Sequence, residues 1–320
     1  MGNDELKRLV VRSYQAIFVV LTIVVQGCTA GESSVNQDLR NMAQQAGIQI
    51  AAVSNRRLEI VNYERGQPDY VMEFGPLIGP TRASPDGRYV GGILNNYEVG
   101  ATTGRDKVVV IDTHGTVVWQ APGVWSWCVA LSSDVQKAAF QGDAGLFYAL
   151  RQSAEASVKL WPAEAARTPE ERGCSLAWSP DADRITYASG GKVLIYDFRS
   201  SKSTVFADGT YPTWSPDGNW IAFRRPDGTA VVRSPDTGME KIVAGGDKIL
   251  GSLRWSPDSG YLLYRVRSYK FTNVWASVTT LSGSWTSRLR VYRLRDGAST
   301  TIVPALPSNS GEHFGWLKTR

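Results

Sequence analysis

Histidine and cysteine are scarce in this chain, and their scarcity restricts the chemistry available to it. Of 320 residues, two are histidine and three are cysteine. His114 and His313 are few for a metal centre or a general base, and they fall in different settings along the chain. The Gly-x-Ser-x-Gly elbow, the His-Glu-x-x-His pair, the Walker loop and the Gly-x-Gly-x-x-Gly fingerprint are all missing. We therefore predict no catalytic residue, no metal and no cofactor.

Concentrated charge of one sign is also lacking. The chain has 35 Lys and Arg against 30 Asp and Glu, a formal charge of +5, and no basic cluster. Because nucleic-acid-binding domains carry a basic patch or stripe, we expect no nucleic-acid partner. A hydrophobic fraction of 42%, with 31 glycines and 11 tryptophans, is sufficient for the core of one large domain.

Long apolar runs are limited to one, near the N-terminus. Basic residues precede residues 16–25, a run that is short for a membrane span and typical of a signal-peptide core. The run ends in Val25-Gln26-Gly27-Cys28, which resembles the cleavage box of bacterial lipoproteins. That resemblance implies a signal peptide over residues 1–27 and lipid attachment at Cys28. An uncleaved anchor or an ordinary secretory signal is the alternative.

The residue after Cys28 bears on location. It is Thr29 and not aspartate, which by the rule of that family implies the periplasmic side of the bacterial outer membrane. A secreted or periplasmic protein, or one anchored to the cytoplasmic membrane, remains the alternative. Contact with the membrane is expected through the lipid alone.

A short turn motif recurs along the rest of the chain. Its clearest copy is Ser215-Pro216-Asp217-Gly218, in which proline presets φ, aspartate bonds its own backbone and glycine accepts a positive φ. Related copies begin at Ser84, Ser132, Ser179 and Ser256. The residues just before the turns, with Trp316 in a final copy that lacks the turn, are spaced by 48, 47, 36, 41 and 61 residues. A repeat near 40 residues built of short strands is typical of a β-propeller.

These Trp-Ser-Pro-Asp-Gly units resemble the repeats of TolB-type, WD-repeat-like propellers over residues 48–320. The resemblance implies an all-β, six-bladed β-propeller and is not specific for function. Three strands after residue 47 have no opening turn, and the segment His313 to Leu317 has no strands after it. We therefore predict that the C-terminal strand joins the three N-terminal strands in the sixth blade. Residues 28–47 would form a lipidated tether and a short helix, with Val35 and Leu39 on its apolar side.

The long loops are predicted to share one face of the propeller. With the strands of a blade labelled a to d from the axial channel outward, the links at 95–106, 162–173 and 267–287 all join strands b to c or d to a. The short turns and the chain ends would lie on the opposite face. Loops on a rigid scaffold are the usual place for binding. The largest link carries the candidate partner-binding residues Tyr269, Lys270, Phe271, Trp275 and Trp285. Alternatively, its tryptophans belong to an extra hairpin and bury each other.

The inner strands provide a second set of candidates. One side carries tryptophans that we expect to pack between blades, and the other carries Arg82, Ala130, Ala177, Thr213, Arg254 and Gly315. Arg82, Tyr211, Arg254 and His313 are the candidate channel ligands, with an anion as the ligand that the arginines favour. The alternative is that the arginines are structural rim charges beside water. The inner-strand alignment also predicts that Cys128 and Cys174 remain two buried thiols, with a disulfide as the alternative.

Three functions fit these patterns. The first is a non-enzymatic cell-envelope lipoprotein, a monomeric propeller that binds an envelope protein through its long-loop face. The second is a propeller that binds a carbohydrate or small ligand. The third is an enzyme of the lyase or cyclase type, which would require the four channel candidates to converge around a pocket.

Overall fold

The computed structural model describes residues 34–35, 37–39, 41, 48–53, 57–62, 67–73, 82–94, 107–112, 116–122, 128–142, 145–151, 158–161, 175–245, 249–269, 285–306 and 313–318. The strands of these segments form six antiparallel sheets of four strands each. The sheets are named blades 1 to 6.

The strands follow one another along the chain in repeat order. Strands β1 to β3 are Ile48–Val53, Arg57–Asn62 and Gln67–Glu73. Blade 1 contains β4 to β7, which are Arg82–Ala83, Tyr89–Leu94, Lys107–Asp112 and Val117–Pro122. Blade 2 contains β8 to β11, which are Cys128–Leu131, Lys137–Gly142, Gly145–Leu150 and Val158–Trp161. Blade 3 contains β12 to β15, which are Leu176–Trp178, Arg184–Ser189, Lys192–Asp197 and Lys202–Asp208.

The remaining strands complete the last three blades. Blade 4 contains β16 to β19, which are Thr210–Trp214, Ile221–Arg224, Ala230–Arg233 and Glu240–Ala244. Blade 5 contains β20 to β23, which are Ile249–Trp255, Tyr261–Tyr269, Trp285–Arg293 and Ser299–Leu306. Strand β24, His313–Lys318, is the inner strand of blade 6 and is followed outward by β1, β2 and β3.

The six inner strands form a closed ring. Each of β4, β8, β12, β16, β20 and β24 contacts the inner strands on either side of it, including β24 with β4. Blade 6 joins the two ends of the propeller, because β24 pairs with β1 from Val53 opposite His313 to Ile48 opposite Lys318. The predicted six-bladed fold and its closure are confirmed. Closure encloses the inner strand edges around the channel, where they are protected from pairing with another chain.

The hydrophobic core is divided among the gaps between blades. Each buried cluster draws on two neighbours: blades 1 and 2, blades 2 and 3, blades 3 and 4, blades 4 and 5, and blade 5 with Trp316 of blade 6. Phe140 and Phe147 stack with ring centroids 5.7 Å apart in the first of these gaps. Since no blade buries both its faces alone, the blades depend on one another for stability.

A common hydrogen-bond pattern builds the short turns. In blade 4, Ser215 Oγ donates to Asp217 Oδ1 at 2.5 Å and accepts the backbone N–H of Trp220 at 2.9 Å. Asp217 Oδ1 also accepts the backbone N–H of Asn219. The same serine-to-aspartate bond occurs in the turns that begin at Ser84, Ser132, Ser179 and Ser256. The expected bond of the turn aspartate to its own backbone is confirmed.

A short helical segment packs on the ring. Residues 34–35, 37–39 and 41 are helical, and Val35 and Leu39 are fully buried against Tyr261, Leu289 and Trp316, among others. Asp38 accepts hydrogen bonds from Arg293 and Arg295, which lie at the turn between β22 and β23. The helix and Ile48 and Lys318, the paired ends of β1 and β24, therefore all lie on the short-turn face.

Candidate functional site

The axial channel contains an inner cavity of about 70 Å³. Its wall is formed by residues from the inner strands of all six blades and from two turns: Arg82, Ala83, Ser84, Pro85, Ala130, Leu131, Ala177, Trp178, Thr213, Trp214, Pro216, Arg254, Trp255 and Trp316. Five of the six residues predicted to face the channel are in this wall. The turn residues place the cavity toward the short-turn face.

Arg82 spans the channel. It belongs to blade 1, yet its Nη1 donates a hydrogen bond to the carbonyl oxygen of Leu176 in blade 3, two blades away. The residue is 7% exposed. Burial and, secondarily, the charge of Arg254 lower the pKa of Arg82 well below its ordinary value. A guanidinium therefore occupies the axis at the level of the inner strands.

Arg254 faces the same cavity from blade 5. It is half-buried, and its Nη1 donates to the carbonyl oxygen of Leu253 at 3.2 Å. Its own carbonyl oxygen accepts the indole N–H of Trp316. Arg82 and Arg254, on either side of blade 6, thus bring two like charges to one small space. An oxyanion is the kind of group that such a pair attracts.

The other two channel candidates are not in the cavity wall as described. Tyr211 is buried two positions before Thr213, with the guanidinium of Arg224 stacked 4.7 Å from the centre of its ring. Its φ of 56° is left-handed, which costs a non-glycine residue about 1–3 kcal/mol. His313 lies opposite Val53 in the β24–β1 pair, and its side chain is outside the described residues. The four candidates are therefore not shown to converge, as an enzyme would require.

Tryptophans at the ends of the inner strands join neighbouring blades. Trp178, Trp255 and Trp316 each donate the indole N–H to a carbonyl oxygen of the preceding inner strand, over 3.1–3.2 Å. Their predicted packing between blades is confirmed.

Trp214 occupies the equivalent position in blade 4 and differs. Its Nε1 is buried and has no hydrogen-bond partner among the described residues. The matching carbonyl, that of Ala177, accepts the hydroxyl of Thr186 at 3.1 Å instead. Arg184 covers the indole, with its guanidinium carbon 4.8 Å from the ring centre. A buried donor without a partner is unfavourable by about 1–3 kcal/mol.

An outer cavity of about 300 Å³ lies on the short-turn face. It is lined by Pro85, Asp86, Ser133, Trp178, Pro180, Trp214, Ser215, Pro216 and Pro257. Four of these residues also line the inner cavity, so the two adjoin. Sequence reasoning missed this rim. The sequence contained the information, because these prolines occupy the same position in their repeats, and equivalent positions of a propeller encircle the channel.

Bonds between turns hold the rim together. Ser133 Oγ donates to the carbonyl oxygen of Pro180 at 2.5 Å, and Ser259 Oγ accepts the backbone N–H of Asp217 at 3.0 Å. Lys137 Nζ donates to the carbonyl oxygen of Ala182. The turns of blades 2 and 3, and those of blades 4 and 5, are therefore linked in pairs.

The long-loop face is described where blade 5 extends toward it. The loop was predicted to span residues 267–287. Strands β21 and β22 instead continue their pairing into that range, from Arg267 opposite Ser287 to Tyr269 opposite Trp285. Two partner-binding candidates thus stand at opposite positions at the end of a ladder, although their side chains are outside the described residues. Lys270, Phe271 and Trp275 are also outside them, as are the links at 95–106 and 162–173.

Cys128 forms a disulfide, contrary to the prediction from the sequence. The prediction of two buried thiols was therefore wrong. It assumed that strand alternation fixes the direction of Cys174, but β12 begins only at Leu176. Cys174 and Cys28 both lie outside the described residues.

The described residues contain neither a candidate metal site nor a candidate membrane-spanning helix. Within those segments, no group of three or more His, Cys, Asp or Glu residues is placed to hold a metal ion. No helix built from them is long and apolar enough to cross a membrane.

Comparison with known proteins gives similarity at the level of structure. No protein-family model and no curated protein matches the sequence. TolB from Acinetobacter baumannii matches with a TM-score of 0.55 and 20% identity, over 86% of this chain and 69% of that one. A TolB structure described as putative, from Agrobacterium tumefaciens, matches with a TM-score of 0.52 and 12% identity, over 80% of this chain and 88% of that one. These likenesses identify the fold of the chain as a TolB-like β-propeller.

Proposed function

We propose that this chain is a non-enzymatic, lipid-anchored protein of the bacterial cell envelope whose propeller binds another envelope protein through its long-loop face. The proposed organisation is a signal peptide at 1–27, a lipidated tether and helix at 28–47, and a propeller at 48–320. Similarity in fold to TolB structures supports the propeller, and the cleavage-box resemblance at Cys28 supports the anchor.

The extension of blade 5 is the observation that carries the proposal. Strand β21 has nine residues, whereas its counterpart in blade 3, β13, has six. Both strands begin five residues after the serine of their turn, so the extra length is all at the long-loop end. Three residues at about 3.3 Å each extend the hairpin by roughly 10 Å. Strand pairing holds the backbone in place up to the Tyr269–Trp285 pair, which lowers the entropic cost of binding a partner there.

The position of the helix supports the orientation. Val35 and Leu39 are buried on the short-turn side, so a lipid at Cys28 would hold that side toward the membrane. The long-loop face would then point away from the membrane. This arrangement leaves the extended hairpin accessible to a partner.

The test replaces residues 270–284 with Asn-Gly, a two-residue turn that closes β21 and β22 directly after the Tyr269–Trp285 pair. We expect capture of the partner from solubilised envelopes to fall at least tenfold while the melting temperature changes little. The control variant Arg199→Met, on blade 3, should capture as wild type does. Equal capture by the hairpin variant and wild type would refute the long-loop face as the contact.

The anchor has a separate test. Cys28→Ala should move the protein from the membrane fraction to the soluble fraction, and intact mass should lose the acyl groups. A wild-type protein without acyl mass would refute the lipid anchor and leave the binding surface untouched.

A second candidate function is supported by the channel. Two arginines that face one cavity fit a propeller that binds a small ligand rather than a protein.

A further inference from the structure

We propose that the inner cavity binds a small oxyanion, a carboxylate or a phosphate, between the guanidinium groups of Arg82 and Arg254. The inference deepens the second candidate function and is independent of the long-loop face. It rests on the size of the cavity, the two charges in its wall and the unsatisfied donor of Trp214.

The cavity has the right size for such a group. One water requires roughly 10–15 Å³ of this kind of volume. A cavity of about 70 Å³ therefore has room for about five waters, or for a phosphate or a carboxylate with a water beside it. A sugar or a folded segment of protein is too large for it.

The charges favour an anion over water. Arg82 is held at the axis by its bond to Leu176, and the charge of Arg254 acts on it directly. An anion between the two guanidinium groups would add two attractions, each over a shorter distance than the repulsion between the two arginines. Charge-assisted hydrogen bonds to oxyanions are also shorter and stronger than neutral ones. The described wall contains no aspartate or glutamate that would repel the anion.

Neutral donors surround the charges. Thr213 supplies a hydroxyl. Trp214 is 5% exposed, and among the four tryptophans at the ends of the inner strands it is the one whose indole N–H lacks a partner among the described residues. A ligand oxygen that accepts the Trp214 N–H would satisfy a donor that the propeller itself leaves unused. This contact requires the indole to rotate toward the cavity, because its Nε1 is buried.

Access is from the short-turn face. The outer cavity adjoins the inner one and is lined by four prolines, Trp178, Trp214, two serines and Asp86, whose carboxylate is paired with Arg88. This largely apolar lining strengthens electrostatic contacts behind it by lowering the local dielectric. It also admits a small molecule whose anionic group enters first.

The experiment measures thermal unfolding of the full chain in detergent at constant ionic strength, with sodium chloride replaced stepwise by sodium phosphate or by sodium acetate. The two salts distinguish the two oxyanions. We expect the melting temperature to rise with at least one of them, and calorimetric titration with that salt to give a saturable site.

Arg254→Met tests the site, because Arg254 is only half-buried and the variant should fold. We expect its affinity for the anion to fall at least tenfold. Trp214→Phe keeps an aromatic side chain, although a smaller one, removes the indole N–H and should weaken binding about threefold. Arg199→Met removes the same charge from a side chain that is 78% exposed and should bind as wild type does.

Two results would overturn the proposal. One is an equal rise in melting temperature for wild type and Arg254→Met, which would mean that the salts act elsewhere on the surface. The other is no rise with either salt, which would mean that the cavity holds water alone. The variant with Asn-Gly in place of residues 270–284 should bind the anion normally, so failure here and failure of the partner surface are separable.

Discussion

Ser215 shows how one residue can determine a turn. Its hydroxyl donates to Asp217 and accepts from the Trp220 backbone, so a single oxygen fixes both the turn and the first residue after it. The side chain is fully buried. Removal would leave the N–H of half-buried Trp220 and the carboxylate of exposed Asp217 without that partner.

Ser215→Ala should therefore reduce the free energy of unfolding by about 1–3 kcal/mol. The matched control is Ser200→Ala, which removes an exposed hydroxyl bonded to Asp197 and should cost less than about 0.5 kcal/mol. Urea unfolding followed by tryptophan fluorescence measures both. Equal losses in the two variants would show that the turn serine has no special role.

The repeated serine and aspartate made the turns predictable even where glycine is missing. Val135, Ala182 and Ser259 occupy the glycine position with φ of 55–60°. The hydrogen bonds of Ser132, Ser179 and Ser256 hold those backbones in place despite the steric cost. Trp214 was not predictable in the same way, because its missing bond depends on Thr186, a residue of a different strand.

The disulfide of Cys128 leads to a second prediction at this scale. If Cys28 carries a lipid on its sulfur, only Cys174 remains to pair with Cys128. Peptide mapping without reductant should then find a Cys128–Cys174 peptide, and reductant should lower the melting temperature, since a native disulfide contributes about 2–4 kcal/mol. A Cys28–Cys128 peptide would contradict lipid attachment.

Among the elements, the helical segment depends on a group of charges at the β22–β23 turn. The side chain of Arg293 is 6% exposed and bonds to both Asp38 and Asp296. The hydrogen bond from Arg293 is the main cause that lowers the pKa of Asp296 to about 2, against a smaller desolvation effect. A carboxylate whose pKa is lower in the folded protein than in the unfolded chain stabilises the fold. That stabilisation is fully present at pH values above the pKa of the unfolded chain, near 3.9.

Stability should accordingly fall as the pH drops from about 4 through 2, and Asp296→Asn should make that fall shallower. The control Asp208→Asn removes a carboxylate whose side chain is 71% exposed and should keep the wild-type slope. Urea midpoints across this range measure the effect. An unchanged slope in Asp296→Asn would mean that the pairing of Asp296 with Arg293 does not contribute to stability in this pH range.

The sequence predicted the helix and its apolar side but not its anchor. Val35 and Leu39 follow a helical period that is visible in the sequence. Asp38 and Arg293 are 255 residues apart, and nothing local shows that they meet.

For the whole molecule, the ring makes each blade depend on its neighbours. Trp316 is 3% exposed, packs in the cluster with Tyr261 and Val35, and bonds to Arg254. Trp316→Ala should reduce the free energy of unfolding by about 3–5 kcal/mol, and the protein should still unfold in a single cooperative transition, at a lower midpoint. Circular dichroism and tryptophan fluorescence should therefore give the same midpoint. Separate midpoints would show that blades unfold independently.

The overall architecture was predictable because repeats at regular spacing leave few ways to bury their faces. The channel was predictable only in part. Strand alternation placed Arg82 and Arg254 at the axis, whereas the reach of Arg82 to Leu176 depends on the diameter of the ring, which no single repeat encodes.

The pairing of Ile48 with Lys318 has one more consequence. Because these residues lie opposite each other on neighbouring strands, a short peptide linker could join them, and new termini could be opened in any short turn between strands. Such a circular permutant should keep all six blades, since a closed ring has no first blade. The blade in which the two ends of the chain pair would, however, be a different one, so the order in which the blades fold would change.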